Sequence, residues 1–106
     1  MYIYIGSLIV FTFERTEKGI SPASYSRLYR KIYGYNNSSY YGKYHSRIPG
    51  FLDGIRYIKY ANGAILAMKG DSSMIVEYLK ENKARVFQWE VQLSRKEEID
   101  LGNNEE

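Results

Sequence analysis

The sequence predicts an α+β domain whose elements run β-α-β-β-α-β. Three observations predict it: long stretches of alternating apolar residues at the start and near the end of the chain, an Asn62-Gly63 pair between two short apolar runs, and two helically spaced stretches separating the strands. The 106 residues are enough for one hydrophobic core and too few for two ordinary ones.

The first strand spans Tyr2 to Phe13, with Ile3, Ile5, Ile9, Phe11 and Phe13 on one face and Tyr2, Tyr4, Leu8 and Val10 on the other. Apolar on both sides, it needs cover on both. Ser21-Pro22 follows, a capping oxygen and a proline at the first helical position. Tyr25, Leu28, Tyr29 and Ile32 then form the buried stripe of a helix, Arg27, Arg30 and Lys31 its polar side, and Gly34 a left-handed stop. From Tyr35 to Gly54 no period is sustained. A loop this long is functional, mobile, or partly ordered as a strand over Tyr40 to His45.

Ile55 to Tyr60 and Ala64 to Lys69 flank Asn62-Gly63, the pair that tolerates positive φ at both central positions of a type I′ turn. That turn would set Ala61 opposite Ala64, Tyr60 opposite Ile65, Ile58 opposite Ala67 and Tyr57 opposite Met68. Gly70 to Ser73 reads as a turn and cap. Met74, Ile75, Tyr78 and Leu79 mark a short helix ending near Asn82. Arg85 to Leu93 alternates again, Phe87, Trp89, Val91 and Leu93 against Gln88, Glu90 and Gln92.

Right-handed crossovers in both β-α-β units give a ferredoxin-like fold: a four-stranded antiparallel sheet in the order 4-1-3-2 with two helices on one face. Residues 1–94 make the single domain. The acidic residues 95–106 read as a disordered tail.

Cysteine is absent and His45 is the only histidine, so a zinc site of nitrogen and sulfur ligands is not expected, carboxylate-held magnesium or manganese stays open, and no cofactor, metal ligand or catalytic residue is assigned. The longest apolar run, Leu8 to Phe11, falls far short of the roughly 20 residues of a membrane span. A cytoplasmic protein is expected.

Charge is the main functional signal. Between Arg27 and Tyr60 lie seven bases and one acid, Asp53, a net of +6 that leaves −3 for the rest of a chain whose total is +3. The same stretch is rich in tyrosine. Cations that neutralise phosphates, interleaved with rings on which bases stack, point to DNA or RNA. Arg27, Arg30, Lys31, Lys43, His45 and Arg47 are the candidate phosphate contacts, and Tyr40, Tyr41 and Tyr44 the candidate stacking rings. Binding rather than turnover is the expected activity, the alternatives being a homodimeric protein-interaction module and a small nuclease.

Ile3-Tyr4-Ile5-Gly6-Ser7-Leu8 resembles the shorter RNA-recognition-motif signature, although the third strand, Ala64 to Lys69, lacks the rings of its partner signature. Glu14, at the end of the first strand, resembles the metal-binding acid of small CRISPR-associated nuclease-like proteins. Leu28 to Gly34, followed by Ser39 to Tyr44, resembles small uncharacterised archaeal proteins of ferredoxin-like fold. That resemblance implies an archaeal origin and carries over no catalytic residue.

The doubly apolar first strand carries the last expectation. Two helices cover one sheet face, so Tyr4, Leu8 and Val10 on the other call for a second copy, and a homodimer packed through that face or an edge strand is expected.

Overall fold

The computed structural model describes residues 4–13, 22–39 and 44–102. It is a mixed α+β structure in two compact units, one built from residues 1–14 and 55–106, the other from 15–54.

The first unit holds a four-stranded antiparallel sheet of β1 (Ile5–Phe13), β4 (Tyr57–Ala61), β5 (Ala64–Met68) and β6 (Ala84–Gln92), in the order β4-β5-β1-β6. Counting these four alone in chain order gives 4-1-3-2 from the other edge. α2 (Lys69–Glu81) packs on β1, β5 and β6. The strand residues on its side include Ile9, Phe11, Ile65 and Ala67, all at most 1% exposed, and α2 contributes buried Ser72, Ile75 and Leu79 at helical spacing. No helix among the described residues is long and apolar enough to cross a membrane.

Three sequence expectations change here. The hairpin pairs Ala61 with Ala64 as predicted, but then Lys59 with Ile65, Ile58 with Leu66 and Tyr57 with Ala67, because Tyr60 is the extra residue of a bulge. Asn62 and Gly63 are not among the positive-φ residues, so the turn is not type I′. Gly63 is needed for another reason. Its carbonyl accepts from the Phe11 N–H at 2.8 Å, and a Cβ there would strike the Phe11 carbonyl oxygen.

The second change is in α2, which starts at Lys69 rather than after a Gly70 to Ser73 turn. Ser72 does not cap it; its hydroxyl donates to the Lys69 carbonyl at 2.8 Å, inside the first turn. The expected end at Asn82 is found, with Lys83 following at φ 68°.

The third change is at the C-terminus, where the sequence predicts disorder from residue 95. A helix, α3 (Arg95–Asp100), stands there, with Leu101 buried beyond it. The acids that read as tail composition serve the helix start: Ser94 Oγ accepts from Glu97 N–H at 3.2 Å, and the Glu97 carboxylate accepts from Ser94 N–H at 2.8 Å. The Tyr60 hydroxyl donates to the same carboxylate at 3.0 Å. These bonds, led by the Ser94 N–H, hold the Glu97 carboxyl below its ordinary range, while partial burial and the Glu97 acceptor push the Tyr60 phenol up.

A depressed carboxylate stabilises the fold fully above its unfolded pKa, about 4.3, and loses that contribution as pH falls through the lower folded value. α3 is therefore expected to loosen in acid before the sheet does, followed as faster amide exchange at Leu101, whose N–H donates to the Glu97 backbone carbonyl. At neutral pH, Ser94→Ala should lower stability by about 1 kcal/mol.

The second unit holds α1 (Pro22–Tyr33) and a two-stranded antiparallel sheet of β2 (Tyr35–Ser39) and β3 (Tyr44–Ile48). Where the sequence allowed a strand over Tyr40 to His45, pairing begins at Tyr44 and runs on to Ile48, and 40–43 lie outside the described residues. The predicted Ser21 cap lies outside them too.

Candidate nucleic-acid interface

α1 carries its bases on one side because the opposite side is apolar. Ile32 and Tyr33 are buried and Tyr25, Leu28 and Tyr29 half-buried, which leaves Arg27, Arg30 and Lys31 exposed. Tyr29 stacks on Tyr33 with ring centroids 6.4 Å apart, and burial, then Tyr25, pushes its phenol up.

The end of this helix determines the shape of the site. Its last four carbonyls have no partner within the helix, and each finds one in the chain that follows. Gly34, at φ 78°, donates its N–H to Arg30 at 2.7 Å, Phe51 to Lys31 at 2.8 Å and Leu52 to Ile32 at 2.9 Å. The fourth, Tyr33, accepts from the Arg47 guanidinium at 2.7 Å. Such closeness needs Gly50, where any Cβ would collide with the backbone of Ile32, Tyr33 and Gly34.

This closure turns Tyr35 back beside the helix, with the Arg30 guanidinium 4.7 Å from its ring centroid. It also brings Ile48 and Pro49 alongside. Arg27, Arg30, Lys31, Tyr35, Ile48 and Pro49 line a concavity of about 300 Å³, with cations on the helix side and an aromatic ring next to them. Such a site can hold a phosphate against the guanidinium groups and stack a flat ring beside Tyr35.

Of the nine candidate residues, the structure brings Arg27, Arg30 and Lys31 together. Arg47 has a structural task that the sequence did not announce. Besides capping α1, it pairs with Asp53 at 2.9 Å, so its charge serves the helix end and that acid. Tyr44 and His45 occupy β3 opposite Ser39 and Ser38. Tyr40, Tyr41 and Lys43 lie outside the described residues, as does Glu14.

Sequence reasoning missed Tyr35, Ile48 and Pro49 as lining residues. For Tyr35 a signal existed: a residue following a left-handed helix stop is turned back along the helix, toward the last exposed side chains. Ile48 and Pro49 depend on a hairpin that no local pattern announces. Among the described residues, no group of three or more His, Asp or Glu side chains is placed to share a metal ion. In comparisons with known proteins, no family model, no curated protein and no solved structure matches this chain.

Proposed function

We propose that this chain is a ferredoxin-like, nucleic-acid-binding module that acts without turnover and grips a single strand through α1 and the turn that follows it. The observation that carries the reading is the concavity in which Arg27, Arg30 and Lys31 meet Tyr35. Phosphates need compact positive charge and bases need a ring to stack on, and the three cations stand in one site with the half-exposed Tyr35 ring. The strand order β4-β5-β1-β6 and the fully antiparallel pairing support the ferredoxin-like assignment.

The test is the salt dependence of binding to a random single-stranded oligonucleotide. Three phosphate contacts give a log–log slope of about −2, at roughly 0.7 per contact for single strands. Replacing Arg27, Arg30 and Lys31 together by Ala should flatten that slope, while Tyr35→Ala should weaken binding with the slope kept. Absence of binding at low salt, or a slope unmoved by the triple substitution, would sink the proposal.

A further inference from the structure

The face of the sheet turned away from α2 is covered at one end and open at the other. Pairing places Ile58, Leu66, Leu8 and Trp89 in one cross-strand row, and Ala64, Val10 and Phe87 in the next. Leu66, Leu93 and Leu101 are buried together, with Tyr4, Leu8, Ile58, Met68 and Val91 packed against them, so the segment ending α3 closes that end from within.

Beyond it, Phe87 and Trp89 are 43% and 52% exposed on edge strand β6, and Tyr60 is 55% exposed on β4. The Phe87 and Trp89 rings lie within 17° of parallel with centroids 6.4 Å apart, and the Arg85 guanidinium sits 5.5 Å from the Phe87 centroid. The three side chains form a ridge. Next to it runs a trough of about 430 Å³, lined by Leu8, Val10, Ala64, Leu66 and Val91, with Tyr60 and Glu97 also at its wall.

We infer that this ridge and trough form a homodimer interface, the occupant being a second copy of this chain. A ridge beside a trough on one face is complementary to itself under a two-fold axis, since each copy's ridge can fill the other's trough. The charges match in the same way. Arg85 extends the ridge and the ionised Glu97 borders the trough, so the two-fold that seats the ridge can bring Arg85 toward Glu97 of the partner subunit. A nucleic acid is the weaker occupant because the trough offers its phosphates a carboxylate. This inference concerns the sheet unit and does not depend on the α1 site.

Trp89 is the only tryptophan, so it reports directly on the face. Sedimentation equilibrium and Trp89 emission should be followed together from nanomolar concentrations to about 100 μM, a range that brackets ordinary protein affinities. The expected result is a doubling of mass with a parallel blue shift. Phe87→Lys, which keeps the fluorophore, should weaken association by at least about 30-fold, the change that losing an interface hot spot brings. Unchanged far-UV circular dichroism of the dilute variant would show that the fold survives. Glu97→Gln keeps one oxygen to accept from the Ser94 N–H, turns toward Tyr60 an amide NH2 from which that hydroxyl oxygen can accept, and removes the charge, so it should weaken the dimer by a smaller factor and reduce its salt dependence. A wild-type monomer at the highest concentration overturns the inference, as does a dimer indifferent to Phe87→Lys. A Trp89 emission shift on adding a single-stranded oligonucleotide to the dilute monomer would reassign the face to nucleic acid.

Discussion

Replacing Phe11 by Ala is expected to lower the stability of the sheet unit by about 3–5 kcal/mol, the usual range for emptying a buried phenylalanine site. The ring is 1% exposed on the face of the sheet that α2 covers, and it meets Phe13 edge-on at 6.1 Å and 80°. Its removal loses both the transfer free energy and the aromatic contact. Little collapse can follow, because the Phe11 backbone is fixed by its N–H bond to Gly63 and by pairing with Val86. Denaturant unfolding followed by Trp89 fluorescence gives the answer. A shifted midpoint at unchanged slope is expected, and a loss below about 1 kcal/mol would contradict the burial of this ring.

Gly50→Ala is expected to reach the upper part of the roughly 1–3 kcal/mol range for overpacking, because the added carbon meets backbone atoms of Ile32, Tyr33 and Gly34 rather than movable side chains. The effect should be local. Amides of Phe51 and Leu52, which close the α1 carbonyls, should exchange faster, and oligonucleotide affinity should fall because Pro49 and Ile48 line the basic concavity. Gly70→Ala is the control. Its Cβ would meet nothing within 4 Å and it stands in the first turn of α2, so this change should raise stability by up to about 1 kcal/mol. Equal behaviour of the two variants would remove the argument for a tight turn at Gly50.

The strands were legible wherever alternation and burial agree. Ile9, Phe11 and Ile65 turn toward the helix because β1 and β5 are flanked on both edges and buried on that side. In β6 the alternation was legible but not its direction. Pairing Ile9 with Gln88 puts Gln88 and Glu90 on the α2 side and leaves Phe87 and Trp89 facing away from it. A period of two states that two faces differ and says nothing about which is covered. The hairpin shows a further limit: Asn-Gly announced a turn, while a bulge at Tyr60, whose hydroxyl reaches Glu97 37 residues on, decided the register.

At the candidate site, the exposed cations of α1 could be read from helical spacing alone. The role of Arg47 could not. Its partners, the Tyr33 carbonyl and Asp53, lie 14 and 6 residues away along the chain, and only the return of β3 brings them together. α3 was hidden for a different reason: composition marks the segment as polar, and the one signal against disorder is the local Ser94–Glu97 capping pair.

The closure of α1 also bears on how the chain is made. A 12-residue helix standing alone is marginal in water. When synthesis has delivered Gly34, only the Arg30 carbonyl can be closed, and Lys31, Ile32 and Tyr33 must wait for Phe51, Leu52 and Arg47. The end of the helix is therefore expected to form only with the returning segment, so that helix and hairpin open and close together as one foldon.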